Sequence, residues 1–309
     1  MTAGSGGGGG QGGGRGIAGR VALVTGATGG IGRAMAAGLA ERGARVLLVA
    51  RDRARGEDAL QEVTARAHAA GNGGSGEVLL ADLSRQADVR RLARAVRERT
   101  AVDGTPRLDV LVNNAGALFE RRQLTPDGVE ATFALNHLAY FLLTAELLAP
   151  LRAAGAATGD ARVVVVASNA HEALPRLPLD DLQGARRWTP FRAYSISKLA
   201  NVMFAFALAR RLADTGVAAN AMHPGVIASG FGVGVTGPFG WLFRLGRPFF
   251  GTPEQGARTG VYLAADPATR GATGGYYKKM RPARSSPASR DVAAQEALWA
   301  ESERLVGAA

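Results

Sequence analysis

Residues 20–32 read RVALVTGATGGIG, and this stretch decides the fold of the chain. A short apolar run typical of a buried strand leads into a turn with four glycines in seven residues, followed by a helical stretch. Such a turn leaves backbone amides and the positive end of a helix free to bind a pyrophosphate group. Any tight strand-to-helix turn favours glycine, so the prediction depends on the flanking strand and helix. The predicted contacts are Gly26, Thr28, Gly29, Gly30, Ile31 and Gly32.

The rest of the chain repeats this alternation of β-branched runs with helical stretches rich in alanine, leucine and arginine. Six strands are predicted, at residues 20–25, 45–49, 77–81, 108–112, 162–167 and 216–222. Strands that alternate with helices form a parallel sheet covered on both faces, so we expect an α/β, doubly wound, Rossmann-type fold. Later stretches predict an apolar helix at 131–150, a loop at 150–160, a helix at 253–265, a seventh strand at 272–277 and helical spacing at 289–306.

Composition also predicts the domain organisation. The first sixteen residues hold ten of the 43 glycines and no apolar stretch, which predicts a disordered tail over residues 1–18. Residues 19–282 form a single predicted domain with a substrate-loop region, and 283–309 form a C-terminal extension with a helix packed on the surface. No signal-peptide pattern occurs, and no apolar run reaches the roughly 18 residues that cross a membrane, so a cytoplasmic location is expected.

Several classes of function are excluded by composition. The 309 residues contain no cysteine, which removes disulfides, thiolate zinc sites and cysteine nucleophiles. The four histidines lack paired ligand spacing, so no metal site is predicted. The net charge is +11, but like charges form no run of about five, so nucleic acid is not an expected partner. Only three of the 37 basic residues are lysines, a bias typical of GC-rich bacterial coding.

Ligands bind beyond the carboxyl ends of strands in an open parallel sheet, so the residues that close each strand are the candidates. The second strand closes on Arg51, a side chain suited to the 2′-phosphate of NADP, although a surface arginine without a ligand would look the same. Asp52 is predicted to cap the next helix. The third strand closes on Asp82 and Leu83, where Asp82 suits either an adenine amino group or the N-cap of a helix beginning at Ser84.

The fourth and fifth strands close on small polar residues. The fourth ends in an NNAG run, whose Asn113, Ala115 and Gly116 let a ring approach the backbone, and the fifth ends at Ser168. These positions complete a row of candidates along one edge of the predicted sheet.

Tyr194 and Lys198 lie four residues apart at the start of a predicted helix, so they share one face with about 5–6 Å between their Cβ atoms. A phenol is a poor base at neutral pH, because lowering its pKa from about 10 to about 7 takes roughly 4 kcal/mol of anion stabilisation. The Lys198 ammonium and the positive ring of an oxidised nicotinamide would supply that stabilisation in a dry cleft. In a chain that otherwise uses arginine, this lysine indicates a need for a compact ammonium.

Together these motifs resemble the short-chain dehydrogenase/reductase family over about residues 19 to 282. The resemblance implies a catalytic tetrad. Tyr194 would donate or accept the proton, Ser168 would bond the substrate oxygen, and Asn136 would hold a relay water. Lys198 would lower the pKa of Tyr194 and bind the nicotinamide ribose. The resemblance also implies cofactor contacts from the turn after His223, through Pro224, Gly225, Ile227 and Ser229.

Within the family, the runs NHLAYFLLT, YSISKLANVMF and TGGYY resemble the retinol dehydrogenase and WW-domain-containing oxidoreductase branch. That branch usually prefers NADP, which agrees with Arg51. Family members typically form dimers or tetramers through the helices that correspond to 131–149 and 194–212, so a homo-oligomer is expected.

Residues 239–250 contain one tryptophan and four phenylalanines and fall in the family's variable substrate loop. They form either a lipophilic lid, which implies a hydrophobic or polycyclic substrate, or a patch that packs on a partner subunit or membrane surface without spanning it. Among the histidines, His68 and His171 are expected in solvent, and His137 is expected to face away from Asn136.

These observations predict an NADP(H)-dependent oxidoreductase that moves a hydride between nicotinamide and a lipophilic ketone, aldehyde or secondary alcohol. NAD(H) is the less favoured cofactor. One alternative is a tailoring ketoreductase of a bacterial secondary-metabolite pathway, which differs only in substrate. A catalytically idle NADP-binding scaffold or sensor is another, and the complete tetrad argues against it.

Overall fold

A computed structural model describes residues 16–225 and 251–307 of the chain. These residues form the strands β1 (Val21–Thr25), β2 (Arg45–Ala50), β3 (Ser75–Leu80), β4 (Ala101–Val102), β5 (Thr105–Pro106), β6 (Val110–Asn113), β7 (Ala161–Val166), β8 (Val217–His223), β9 (Tyr276–Lys278) and β10 (Arg281–Pro282). One sheet has the order β10-β9-β8-β7-β6-β1-β2-β3, and all its pairs are parallel except β9 with β10. The strands β4 and β5 pair separately as a short antiparallel hairpin.

The helices are α1 (Gly30–Ala40), α2 (Arg53–Ala70), α3 (Gln86–Arg99), α4 (Ala131–Phe133), α5 (Ala139–Glu146), α6 (Leu148–Thr158), α7 (Pro190–Arg211), α8 (Pro253–Ala265) and α9 (Val292–Val306). A π-helical turn, Ala134–Leu138, joins α4 to α5. No single helix in the described part of the chain is long and apolar enough to cross a membrane, and one bent helix pair, Ala131–Glu146 with Leu148–Thr158, meets that criterion only jointly.

Strand β7 shows how one strand serves two cores. All its residues are buried, and successive side chains point to opposite faces of the sheet. Val163 and Val165 pack with residues of α3, α5 and α7, whereas Val164 and Val166 pack with residues of α1, α2 and α8. A strand covered on both faces needs apolar residues at every position, which explains the run of four valines. The predicted doubly wound α/β fold is confirmed.

The predicted elements agree with the structure to within a few residues at most positions. The helix predicted at 253–265 has those bounds, and it begins with a capping box between Thr252 and Gln255. The third strand begins two residues before its predicted start, and the seventh is shorter than predicted, at Tyr276–Lys278. The hairpin of β4 and β5 is absent from the prediction, because each of its strands has only two residues.

The prediction of one helix at 131–150 followed by a loop is wrong. The chain bends by 59° between Ala131–Glu146 and Leu148–Thr158, at Leu147. Most of the expected loop at 150–160 is therefore helical. Pro150 does not end the helix, because it lies in the first turn of α6, where a missing N–H group breaks no helical hydrogen bond.

The two ends of the described chain pack on the domain. Ile17 is buried, so the packed structure includes residues that the domain prediction assigned to the tail. At the other end, α9 lies against α7 and α5, and the ring of Trp299 is 4.9 Å from that of Phe141 and 5.9 Å from that of Phe204, between centroids. The helices expected to form an oligomer interface are thus covered by the chain's own C-terminal helix.

Candidate active site

The glycine-rich loop between β1 and α1 packs against the residues that follow β6. Gly26 has φ 65°, and a Cβ atom there would lie 2.8 Å from the Cα of Ala115. A Cβ on Gly32 would lie 2.2 Å from the carbonyl oxygen of Gly26, so both positions require glycine. Among the described residues, a Cβ on Gly29 would meet only the Nη2 atom of Arg55, at 3.7 Å. Gly29 therefore leaves space at the N-terminus of α1, where an anionic group can bind.

Asn114, rather than the predicted Asn113, ties this loop to β6. The side chain of Asn114 donates to the carbonyl oxygen of Thr25 at 2.8 Å, and the backbone N–H groups of Asn114 and Ala115 donate to the Thr25 hydroxyl. Asn113 is fully buried and donates to the hydroxyl of Thr144 at 3.0 Å. Because successive residues of a strand face opposite sides, the Asn113 side chain turns away from the loop, and the prediction of a contact from it is not supported.

Two arginines that follow β2, Arg51 and Arg55, carry guanidinium groups without a carboxylate partner among the described residues, and that of Arg55 lies near Gly29 of the loop. Asp52 accepts from the backbone N–H of Arg55 at 2.9 Å, which confirms it as the cap of α2. The neighbouring Arg33 and Arg53 are paired with carboxylates. No carboxylate of the described residues pairs with Arg51 or Arg55, so both are available to an anionic ligand.

At the end of β3, Asp82 holds a turn. Its Oδ1 atom accepts from the backbone N–H of Ser84 at 3.0 Å and from the Ser84 hydroxyl at 2.7 Å. Helix α3 begins at Gln86 with Arg85 as its N-cap, so of the two alternatives for Asp82 the N-cap of a helix beginning at Ser84 is wrong. Leu83 is buried in the core, which leaves only its backbone for a ligand.

Ser168, Tyr194 and Lys198 meet just beyond β7. The Ser168 hydroxyl accepts from the backbone N–H of Ala170 at 3.2 Å and hydrogen-bonds the Tyr194 phenol. The Lys198 Nζ atom lies 5.6 Å from the centre of the Tyr194 ring and donates to the carbonyl oxygen of Val166 at 3.0 Å. Ser168 and Lys198 thus lie beside the buried phenol of Tyr194. Three of the four expected tetrad residues are therefore together.

Asn136 lies in the π-helical turn and braces the loop after β6. Its side chain accepts from the backbone N–H of Ala117 and donates to the Ala117 carbonyl, both at 2.9 Å, and it also donates to the Ser197 hydroxyl at 3.1 Å. The backbone carbonyl oxygen of Asn136 accepts a hydrogen bond from the side chain of Asn201 at 2.9 Å. Both side-chain N–H groups of Asn136 are therefore engaged by protein groups, and a relay water would have to bind at the second lone pair of the side-chain oxygen or of the backbone carbonyl oxygen.

Burial shifts the pKa values of the tyrosine and the lysine in opposite directions. Desolvation raises the pKa of Tyr194 to about 12, a rise that the hydrogen bond from Ser168 partly offsets. Desolvation lowers the pKa of Lys198 to about 7. Each group loses water that would stabilise its charged form. The expectation that Lys198 lowers the Tyr194 pKa is therefore not met by the chain alone.

A family model described as short chain dehydrogenase matches residues 20–235, which is more than half of the chain. The chain belongs to the short chain dehydrogenase family. It is accordingly an oxidoreductase, as the sequence motifs predicted.

Relatives of this short chain dehydrogenase confirm the predicted branch. Retinol dehydrogenase 14 of Mus musculus is 37% identical over 301 residues, covering 94% of this chain and 86% of that protein. A Streptomyces sp. (strain C5) protein named "Putative daunorubicin C-13 ketoreductase DnrU" is 39% identical over 293 residues. The match covers 94% of this chain and 94% of that protein.

Solved structures of similar proteins share the fold. A protein from Mycobacterium paratuberculosis superimposes with a TM-score of 0.70 at 33% identity, covering 94% of both chains. The Pseudomonas aeruginosa protein RhlG, solved with NADP in its active site, superimposes with a TM-score of 0.64 at 32% identity, covering 84% of this chain and 94% of that one.

One of the four histidines of this dehydrogenase is placed differently from its prediction. His171 is fully buried, so the expectation that it lies in solvent is wrong. His137 is also buried, with its ring nitrogens near the side chains of Asn201 (3.3 Å) and Ser302 (3.0 Å), and burial lowers its pKa to about 4. His68 is exposed, as predicted.

Some predicted contacts lie at the limit of the described residues. His223 closes β8, and Pro224 and Gly225 follow it, with φ 95° at Gly225. Ile227, Ser229 and the segment 239–250 lie outside the described residues. No group of three or more metal-ligating side chains occurs within the described ranges.

A cleft of about 640 Å³ is lined by residues 174–181, by Arg186 and Arg187, and by Arg192 at the start of α7, and it does not include Ser168, Tyr194 or Lys198. Its apolar side is formed by Leu174, Pro175, Leu177 and Leu179, and its polar side by Arg176, Arg186, Arg187, Arg192 and two aspartates. This volume is within the usual range of small-molecule sites.

Four functional candidates were missed at the sequence level. They are Asn114, Arg55, Asn201 and Tyr140, whose buried hydroxyl has no hydrogen-bond partner among the described residues. Asn201 had a detectable signal, because it is a polar residue within the apolar run LANVMF and lies one turn after Lys198. Arg55 had none, since its approach to Gly29 joins two separate elements.

Proposed function

We propose that this short chain dehydrogenase transfers a hydride between the nicotinamide of NADP(H) and a lipophilic ketone, aldehyde or secondary alcohol. The observation that carries the proposal is the buried Tyr194 phenol, hydrogen-bonded to Ser168 and lying beside the Lys198 ammonium. A phenol held between a hydroxyl and an ammonium is suited to exchanging a proton with a substrate oxygen.

The residues present fit a dinucleotide. Gly29 leaves space for a pyrophosphate at the N-terminus of α1, and the unpaired Arg51 and Arg55 suit a 2′-phosphate. A Cβ on Gly116 would lie 3.7 Å from the Lys198 Nζ atom, so backbone without a side chain faces the ammonium that would bind the ribose. The bound cofactor would supply the hydride. NADP in the similar RhlG structure supports this choice over NAD.

The protein residues would handle the proton. Because burial raises the pKa of Tyr194 to about 12, the phenol holds its proton at neutral pH and can give it to a carbonyl oxygen during reduction. Ser168 would donate its single hydroxyl proton to that oxygen, in exchange for its present hydrogen bond to the phenol. Oxidation of an alcohol needs the phenolate, which the positive charge of Lys198 would stabilise. Asn136 would brace the loop that borders the site.

A lipophilic substrate is supported by the names of the relatives, which include retinol and polyprenol dehydrogenases. The segment 239–250 remains a proposed lid or interaction patch. The second candidate is a tailoring ketoreductase, supported by the DnrU match over 94% of both chains. An idle NADP-binding scaffold is disfavoured by the grouping of Ser168, Tyr194 and Lys198, and it predicts cofactor binding without turnover.

An oligomer would need a surface other than α5 and α7, because α9 covers them in the described chain. A homo-oligomer, a cytoplasmic location and the boundaries of the domain at residues 19 and 282 all remain predictions.

The proposed function is tested by following NADPH and NADH absorbance with a panel of carbonyls: retinal, a polycyclic ketone and a short polar aldehyde. We expect turnover with NADPH and the lipophilic compounds.

Tyr194→Phe should lower kcat by at least about 10²-fold and leave NADPH binding nearly unchanged, because the phenol transfers a proton without holding the dinucleotide. Unchanged turnover in this variant would remove the assignment of Tyr194, and activity confined to the polar aldehyde would exclude a lipophilic substrate.

A further inference from the structure

The turn that follows Ser168, residues 169–173, is held by the C-terminal part of the chain. The Tyr276 hydroxyl donates to the side chain of Asn169 at 3.3 Å, and the Lys278 ammonium pairs with Glu172 at 2.9 Å. Tyr276 and Lys278 both lie in β9 at the end of the domain. The position of the turn therefore depends on residues about a hundred positions later in the chain.

His171 makes the central contact of this turn. Its Nδ1 atom lies 2.7 Å from the carbonyl oxygen of Ser168, and its Nε2 atom lies 3.1 Å from the backbone nitrogen of Ser286. A carbonyl only accepts and an amide N–H only donates, so the ring is neutral with its proton on Nδ1. The ring also packs edge-on against Tyr276, with 4.9 Å between centroids. Both polar atoms of a buried imidazole are thus matched to fixed backbone groups.

The contact continues from Ser286 into the C-terminal extension. The Ser289 hydroxyl donates to the Ser286 carbonyl at 2.7 Å, and Gln295 donates to the Ser289 carbonyl at 2.7 Å. The side chain of Arg210, in α7, donates to Gln295. A chain of hydrogen bonds therefore runs from the Ser168 turn through the extension and back to the helix that carries Tyr194 and Lys198.

We propose that His171 is a positioning residue through which the C-terminal extension orients the hydroxyl of Ser168. The proposal rests on the proposed function, in which Ser168 bonds the substrate oxygen. The Ser168 carbonyl accepts from both the ring and the backbone N–H of His171, and the Ser168 hydroxyl accepts from Ala170 in the same turn. Loss of the ring donor would release the peptide group that sets the direction of this hydroxyl.

Three variants distinguish the effect of the Nδ1 hydrogen bond of His171 from that of its Nε2 hydrogen bond. His171→Phe keeps an aromatic ring against Tyr276 and loses both bonds. His171→Asn keeps a donor near the position of Nδ1, and His171→Gln keeps an acceptor near the position of Nε2. We expect kcat for carbonyl reduction to fall at least about tenfold in the Phe and Gln variants and to stay within about threefold of wild type in the Asn variant. The KM for NADPH should be unchanged in all three.

A double variant tests whether His171 acts through Ser168. In Ser168→Ala, the added His171→Phe change should lower kcat by less than about twofold, because the group that it positions is already gone. A purely structural role would instead give the product of the two single losses and would overturn the proposal. His68→Phe, at an exposed histidine, is the control and should leave kcat and the melting temperature unchanged.

The ring of His171 also gives a readout without turnover. Nitrogen-15 NMR of the full chain should show a neutral histidine with its proton on Nδ1 throughout the neutral pH range, identified as His171 by the loss of its signal in His171→Asn. A proton on Nε2 would overturn the proposal even if the wild type reduced no carbonyl in the panel. Equal kcat in the Asn and Gln variants would overturn it if His171→Phe failed to fold. A kcat in Ser168→Ala equal to that of the wild type would instead count against the proposed function.

Discussion

The Nζ atom of Lys198 lies 5.6 Å from the centre of the Tyr194 ring, and both side chains are desolvated by the same surroundings. Burial therefore disfavours the charged form of each residue, which is the ammonium of Lys198 and the phenolate of Tyr194. This relationship leads to two predictions about pH.

Stability should depend on pH through Lys198. Its folded-state pKa is lowered from 10.5 to about 7, so between these values the unfolded chain binds more protons than the folded protein. The unfolding free energy of the wild type, relative to Lys198→Met, should therefore rise with pH across this window, by at most about 1.4 kcal/mol per pH unit. Chemical denaturation of both proteins at several pH values measures the difference, and a difference that falls with rising pH would contradict the shift.

The two directions of reaction should differ in their pH profiles. Because the pKa of Tyr194 is raised, the phenol keeps its proton from pH 6 to 9, and kcat/KM for carbonyl reduction should vary little there. Alcohol oxidation needs the phenolate, so its kcat/KM should increase with pH by up to about tenfold per unit. Initial rates in both directions with one ketone and its alcohol measure this contrast. Parallel profiles would argue against Tyr194 as the group that exchanges the proton.

Cofactor selectivity should depend on the two unpaired arginines after β2. Arg51→Ala and Arg55→Ala should each weaken NADPH binding by roughly 10- to 100-fold and leave NADH binding almost unchanged, because only NADPH carries the 2′-phosphate. Arg53→Ala is the matched control, since Arg53 already pairs with Glu57. Fluorescence titration of both cofactors measures the effect. Equal losses for NADPH and NADH would mean that the arginines do not read the 2′-phosphate.

The C-terminal helix should contribute to stability through Trp299. Its ring packs against Phe141 and Phe204, and the guanidinium of Arg211 lies 4.0 Å from its centre. Trp299→Ala should lower the unfolding free energy by about 2–4 kcal/mol, because it leaves a cavity over α5 and α7. Val292→Ala, at an exposed position of the same helix, should change it by less than about 0.5 kcal/mol. Denaturant unfolding compares the two, and similar small losses would show that α9 adds little.

Local patterns in the sequence predicted most of the elements and the identity of the tetrad. Strand β7 was found because a strand buried on both faces requires an uninterrupted apolar run, here Val163 to Val166. Tyr194 and Lys198 were found because residues four apart share a helix face. The bend at Leu147 was missed because Pro150 was read as the end of one long helix, whereas it marks the first turn of the next helix and the apolar pattern continues across the bend.

Local patterns do not predict contacts between residues that are far apart in the sequence. The sequence by itself determined the alternation of strands and helices, the glycine loop and the placing of Tyr194 and Lys198 on one helix face, because each depends on neighbours within a few positions. Only the tertiary structure decided that His171 is buried, that Arg55 approaches Gly29 and that the extension joins the Ser168 turn. The physical reason is that His171 and Ser286 are 115 positions apart, and the free energy that buries a polar ring comes from partners that only the folded chain brings to it.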